Sequence, residues 1–226
     1  GAGKSTTLNA IAGVWPVDCG QILIDGKDIS ALPEHKRAPY LGRVFQDPMT
    51  GTVADMEIIE NLAIAARRGK KRGLSWGVKA DERFRYRQML AEFDLGLEDR
   101  MSSKVGLLSG GQRQAITLLM ATIKKPKLLL LDEHTAALDP KTAAKVLELS
   151  DKIIAENNLT ALMVTHNMHD AITHGNRLIM MSDGKIILDI SGEEKKNLTV
   201  EHLLEMFEKA SGSKLENDRM LLSKDK

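Results

Sequence analysis

The sequence has one cysteine, Cys19, so it cannot form an internal disulfide, and such cysteine usage fits a reducing compartment. It has no apolar run of the roughly 18 residues that a membrane-spanning helix needs, and we expect no signal peptide. The net charge of +1 gives no bulk electrostatic basis for binding nucleic acid. We therefore expect a chain that neither crosses a membrane nor binds nucleic acid.

The most informative stretch is a run of four leucines at 128–131. It lacks the alternation of a half-exposed strand, so it predicts a strand buried on both faces in a parallel sheet covered by helices. Asp132 and Glu133 follow directly. Ligands of open α/β sheets bind at the carboxyl ends of the strands. The two carboxylates therefore mark a candidate ligand site.

The first six residues, Gly-Ala-Gly-Lys-Ser-Thr, match the end of the phosphate-binding loop G-x-x-x-x-G-K-[ST]. The first glycine of that loop and the strand that precedes it are absent. A helix is predicted to follow, and backbone N–H groups at a helix start bind phosphate oxygens. The alternative interpretation is a glycine-rich turn with an incidental lysine.

A second anion-binding turn is predicted at 108–112, where Leu-Ser-Gly-Gly-Gln precedes a helix with buried positions. Two such turns, far apart in the sequence, have two possible explanations. The protein binds two phosphorylated groups, or the second turn binds the nucleotide of another subunit.

Apolar periodicity predicts an α/β protein with a parallel sheet that includes the segment 128–182. A core formed by 1–46 and 120–192 is expected to carry an inserted helical subdomain at about 47–119. Residues 193–226 are expected to form a C-terminal helix and a polar tail. The predicted strands are 21–25, 41–45, 128–131, 161–165, 178–181 and 186–188, and the sequence Ser-Asp-Gly-Lys at 182–185 predicts a hairpin turn between the last two. The predicted helices are 6–12, 57–68, 79–93, a segment that starts after 112, 140–157, 168–174 and a segment around 200–207.

The order of these motifs resembles the nucleotide-binding subunit of ABC transporters, over nearly the whole chain to about residue 191. The order is the lysine loop at 1–6, Gln46, the Ser-Gly-Gly-Gln turn at 109–112, the Asp-Glu pair after the leucine run, Asp139 and His166. The resemblance implies a P-loop NTPase fold with ATP and Mg²⁺ as ligands. It is nearest to bacterial uptake ATPases of the tryptophan/tyrosine type.

The resemblance also implies roles for individual residues. Glu133 would be the general base, His166 would contact the γ-phosphate, and Gln46 would sense the metal and that phosphate. Asp132 and Ser5 would bind Mg²⁺ together with Gln46. The phosphates would be bound by Gly1, Ala2, Gly3, Lys4, Ser5 and Thr6.

The signature turn of one protomer would cap the γ-phosphate bound to the other, through Ser109, Gly110, Gly111 and Gln112. Asp139 would lie at the same interface. The implied partners are a second ATPase subunit in a head-to-tail homodimer or pair, a membrane permease and an extracytoplasmic solute-binding protein. The implied location is the cytoplasmic face of the cell membrane.

The sequence departs from the family pattern in three ways. His134 stands where the family usually has proline, and Ala136 where serine or threonine is common. The N-terminal antiparallel strands and the adenine-stacking aromatic residue are absent, so we expect an N-terminally truncated chain; Trp15 and Tyr40 do not occupy that aromatic position.

Two alternatives remain open from the sequence. ABC-type ATPases of DNA repair or translation usually carry a long insertion or two cassettes, and neither is present here. A non-hydrolysing regulatory module would not need the acid at Glu133 or the imidazole at His166.

Overall fold

The computed structural model describes residues 2–70 and 77–211, which form an α/β fold. Nearly all predicted elements are present in these residues, with ends that shift by a few residues. The strands are β1 Leu23–Ile24, β2 Lys27–Asp28, β3 Leu41–Val44, β4 Leu128–Asp132, β5 Thr160–Val164, β6 Arg177–Ser182 and β7 Lys185–Ser191. The helices are α1 Lys4–Ala12, α2 Glu34–Arg37, α3 Ile58–Ala66, α4 Ala80–Ala91, α5 Gly110–Thr122, α6 Pro140–Glu156, α7 Met168–Thr173, α8 Gly192–Lys196 and α9 Val200–Ser211.

The central sheet has the strand order β3-β4-β5, and β3 pairs with β4 in parallel. In that register Leu41 lies opposite Leu128 and Val44 opposite Leu131. The three inner leucines of β4 are at most 1% exposed, because helices cover both faces of the strand. The predicted two-sided burial of the leucine run is confirmed.

The helices α3, α4 and α5 share one apolar core with β3, β4 and α6. Tyr86 and Leu90 of α4, and Phe93 just after it, are buried in this core. Close contact between β3 and α5 depends on Gly42, since a Cβ there would lie 2.5 Å from the carbonyl oxygen of Ala121.

The C-terminal end of α1 is held by the buried side chain of Arg37, which is 1% exposed. Its guanidinium donates hydrogen bonds of 2.7 and 2.8 Å to the carbonyls of Ala10 and Ile11. It also donates to the carbonyls of Leu32 and Ser30, both at 2.7 Å. The arginine therefore satisfies helix-end carbonyls that have no partner within the helix.

The prediction that strand–helix alternation through 182 forms one parallel sheet is wrong for β6. The short Asp183-Gly184 turn returns the chain at once, so β6 pairs antiparallel with β7 in its own two-stranded sheet. The short helix α8 was not predicted. The helix α9 was predicted from its apolar spacing and buries Leu203.

The chain divides into two compact units, the described residues of 1–7 with 164–226, and residues 8–163. The predicted boundaries of a helical subdomain at about 47–119 stay a prediction, and the predicted polar tail lies outside the described residues. In the part of the chain that the structure describes, no helix is both long and apolar enough to cross a membrane.

Candidate functional site

The predicted phosphate loop lies in the smaller unit, at the start of α1. Gly1 is outside the described residues. Gly3 has a φ of +90°, a conformation that glycine adopts without a steric penalty. Its carbonyl accepts hydrogen bonds from the backbone N–H and the hydroxyl of Thr7, at 2.9 and 3.0 Å. Lys4 is the first residue of the helix, and the side chains of Ser5 and Thr6 are exposed.

The smaller unit also contains a cavity of about 270 Å³ lined by both Lys4 and His166. Thr165 and Asn167 contribute further polar atoms, and the remaining wall is apolar, with Met180 among its residues. The fold therefore brings the predicted lysine and the predicted histidine to one cavity, although they are 162 positions apart. An ammonium and an imidazole on one wall can both donate hydrogen bonds to phosphate oxygens.

The two predicted carboxylates lie in the larger unit. Asp132 is the last residue of β4, with a side chain that is 17% exposed. Glu133 is half-buried and adopts a φ of +46°, the left-handed region that non-glycine residues seldom occupy. The Glu133 carbonyl accepts a hydrogen bond of 3.0 Å from the N–H of Ala136. The chain therefore turns sharply directly after the strand.

Asp132 is paired with Arg43, a residue for which the sequence analysis assigned no role. The Nη2 atom of Arg43 lies 3.3 Å from Oδ2 of Asp132 and 2.8 Å from Oδ1 of Asn9. A charged residue within the otherwise apolar run at 41–45 was the sequence signal that could have identified it.

Ser109 and Gly110 of the signature turn are exposed at the start of the 13-residue helix α5, whereas Gly111 is buried. Ser109 caps the helix: its Oγ accepts from the N–H of Gln112, and the side-chain oxygen of Gln112 accepts from the N–H of Ser109. Gln112 also donates to the carbonyl of Leu95 at 3.2 Å. Gln112 therefore shapes the turn. No acidic side chain lies in the first helical turn, so its partial positive charge is not neutralised locally.

The signature turn packs against the turn that contains Asp139. A Cβ on Gly111 would lie 2.2 Å from the Cγ2 atom of Thr142, so only glycine fits there without a shift. Asp139 caps α6 by accepting from the N–H of Thr142 at 3.1 Å. Hydrogen bonds from the Thr142 side chain and backbone lower the pKa of Asp139. The two predicted interface elements thus touch the same threonine.

Gln46 is exposed two residues after the end of β3. With Ser5 and Asp132 it would supply hydroxyl, amide and carboxylate oxygens. This donor chemistry fits Mg²⁺, which binds oxygen ligands and usually keeps several waters. The described residues contain no cluster of three or more His, Cys, Asp or Glu side chains of the kind that forms an all-protein metal site.

Comparisons with known proteins identify the family of the chain. Residues 1–136 match the family model described as "ABC transporter". The chain is 48% identical to the Tyrosine transport ATP-binding protein of Clostridioides difficile, over 93% of this chain and 83% of that protein. It is 34% identical to a Spermidine/putrescine import ATP-binding protein of Haemophilus influenzae, over 86% of this chain but only 49% of that protein.

Solved structures give the same result. The ADP conformation of an ATP-binding cassette of an ABC transporter matches with a TM-score of 0.73 and 28% identity, over 91% of this chain and 83% of that one. A nucleotide-free cassette matches with a TM-score of 0.70 and 28% identity, over 86% and 78%. The α/β fold is thus the P-loop NTPase fold of these cassettes, and the chain belongs to the ABC transporter family as an ATP-binding subunit with ATPase activity.

Proposed function

We propose that this subunit binds Mg²⁺-ATP in a head-to-tail dimer and hydrolyses it to power uptake of an amino acid. The observation that carries the dimer is the exposed signature turn. Its serine and first glycine face solvent at the positive end of a 13-residue helix. A partner's γ-phosphate is the anion that would occupy it.

The phosphates are bound by the ammonium of Lys4 and by the backbone N–H groups at the start of α1. His166 contacts the γ-phosphate, consistent with its place beside Lys4 on the 270 Å³ cavity. Phosphoryl transfer requires positioning and neutralisation of charge more than covalent chemistry, and these groups provide both.

Glu133 accepts a proton from the attacking water and aims that water at the γ-phosphorus. Glu133 directly follows Asp132 at the end of β4, and Asp132 with Ser5 and Gln46 binds the metal. These residues would hold Mg²⁺, which would supply positive charge to neutralise the charge that develops on the phosphate oxygens. Gln46 lies exposed two residues after the end of β3 and is suited to report on the presence of the γ-phosphate.

The transported solute is proposed from the relatives. Tyrosine transport is the function named for the relative that shares 48% of its residues with this chain over most of both lengths. We take tyrosine, or a related amino acid, as the solute, delivered by an extracytoplasmic binding protein to a membrane permease. Uptake of labelled tyrosine that is unchanged when the gene is deleted would contradict this choice.

The permease would bind in a groove of about 1030 Å³ in the larger unit. Its wall includes Phe45, Gly51 and parts of α3, α4 and α5. Of the described residues that line the groove, six are basic and two are acidic. The groove therefore suits a cytoplasmic helix with carboxylates on one face. Bound there, the subunit would lie at the cytoplasmic face of the membrane.

The base is tested with Glu133→Gln in the full-length protein. Its carboxamide cannot accept the proton, so we expect ATP binding and an ATP-trapped dimer, with hydrolysis reduced about 100-fold or more. Glu148→Gln, at an exposed position of α6, is the matched control and should hydrolyse as wild type. If Glu133→Gln hydrolyses ATP within a few-fold of wild type, Glu133 is not the base.

The composite site is tested by mixing two inactive proteins. Lys4→Ala removes the phosphate-binding ammonium, and Ser109→Arg blocks the signature turn. A mixed dimer has one site with both lesions and one intact site, so we expect activity above that of either protein alone. Crosslinked mixed dimers that show no gain would contradict nucleotide sites shared between two chains.

A further inference from the structure

Arg43 is a buried charge in the middle of an apolar strand. Its side chain is 14% exposed, and its neighbours in β3, Gly42 and Val44, are buried. A charge removed from water is costly unless it is paired, so its partners define its role. Those partners are Asp132 and Asn9, both contacted through Nη2.

The strand register explains how the guanidinium reaches Asp132. Arg43 lies opposite Leu130 on β4. Side chains two residues apart share one face of a strand, so Asp132 projects from the same face as Leu130, one step closer to the end of the strand. Phe45 directly follows β3, and the guanidinium carbon of Arg43 lies 4.6 Å from the centroid of its ring.

The contacts leave the guanidinium little freedom. It stacks on the Phe45 ring and donates to the amide oxygen of Asn9, which belongs to α1. Its third contact is Oδ2 of Asp132 at 3.3 Å. Within the described residues its Nε atom is buried and has no hydrogen-bond partner. An unsatisfied buried donor costs free energy, so the other contacts of the guanidinium must outweigh that cost.

We propose that Arg43 is a positioning residue for the metal-binding carboxylate of Asp132. It occupies Oδ2 and so orients Oδ1 for Mg²⁺. Residues that hydrogen-bond to a metal ligand and so orient it typically lower the metal affinity 10–100-fold when they are replaced. This inference rests on the proposed role of Asp132 as a magnesium ligand.

The alternative is a salt bridge that only stabilises the fold. The positioning role and the purely stabilising role predict different effects of Mg²⁺ on the affinity for ATP. The test therefore measures the Kd of ATP for the full protein with saturating Mg²⁺ and with EDTA. Arg43→Met keeps the length of the side chain and its apolar stem but loses the hydrogen bonds. We expect the Kd to rise about 10-fold or more in Mg²⁺, and to change less than about twofold in EDTA.

Two further variants keep the test decisive. Arg43→Lys retains the charge but not the planar fork, so it should raise the Kd in Mg²⁺ by about threefold even if Arg43→Met folds poorly. Arg87→Met removes an exposed arginine that pairs with Asp99, and should leave both Kd values unchanged. Equal changes in Mg²⁺ and EDTA, or no change in either, would overturn the positioning role.

The failure of this inference can be separated from failure of the proposed function. Asp132→Asn should abolish the effect of Mg²⁺ on the affinity for ATP. If Asp132→Asn keeps that effect, the assignment of the magnesium ligand is wrong. If Asp132→Asn loses it while Arg43→Met and Arg43→Lys both keep it, only the role of Arg43 is wrong.

Discussion

His134 Nε2 lies 3.1 Å from the Oγ of Ser150, and both residues are only 2% exposed. The Ser150 hydroxyl donates its single hydrogen to the carbonyl of Val146 at 2.8 Å. The imidazole must therefore carry its proton on Nε2 and donate to the serine. This bond ties the residue after Glu133 to α6, at the position where the family usually has proline.

Ser150→Ala should destabilise the protein by about 1–3 kcal/mol, because it leaves a buried imidazole N–H without an acceptor. Urea unfolding would measure the loss. In a His134→Leu background the same substitution should cost much less, since no donor remains to be satisfied. An equal cost in both backgrounds would mean that the hydrogen bond does not contribute to stability.

Arg37→Met should destabilise the fold by about 3 kcal/mol or more, because it removes a buried charged donor and its hydrogen bonds to the carbonyls of Ala10 and Ile11 at the end of α1. The guanidinium serves four carbonyls, and burial lowers its pKa. Arg83→Met on the exposed side of α4 is the control and should change stability by less than about 0.5 kcal/mol. Similar unfolding midpoints for the two variants would contradict the role of Arg37.

Gly111→Ala should destabilise the packing of α5 on α6 by about 1–3 kcal/mol, since the new methyl would overlap Thr142. Thr142→Ser deletes the methyl that clashes while keeping a hydroxyl, so it should restore much of that loss.

At Gly110 an added Cβ would lie 3.2 Å from the Leu138 Cδ2 atom, a contact that a small side-chain movement relieves. We therefore expect Gly110→Ala to lower ATPase activity but to reduce the free energy of unfolding less than Gly111→Ala does. Equal destabilisation at both glycines would contradict this difference.

The elements of the fold that sequence reasoning found were those with a local signal. The four leucines lack alternation, the helix α5 begins at a serine with glutamine three residues later, and the Asp183-Gly184 pair marks a hairpin. Each signal is contained within a few residues, so it survives without tertiary information. The separate sheet of β6 and β7 could not be found this way, because sheet membership depends on distant partners.

The side chains that were missed have partners far away in the sequence. Arg43 and Asp132 are 89 positions apart, and Arg37 reaches carbonyls 26 and 27 positions away. A single sequence shows the unusual residue, here a charged side chain in an apolar strand, but it does not show which distant group pairs with that charge. His134 was recognised as a departure from the family pattern, yet its burial against Ser150 was visible only in the fold.

The cap formed by Asp139 should make stability depend on pH. Hydrogen bonds from Thr142 lower the pKa of this carboxyl in the folded protein below its ordinary value. Such a group stabilises the fold above its unfolded pKa, and the contribution is lost as the pH falls through the folded pKa.

Asp139→Asn keeps an acceptor at the helix start but does not titrate. We expect the melting temperature of the wild type, relative to this variant, to fall as the pH drops from 5 to about 3. Thr142→Val removes the side-chain donor, so in this variant the same acid-dependent loss should be smaller. Melting curves of wild type and Asp139→Asn that stay parallel across this range would show that the cap makes no charge-dependent contribution.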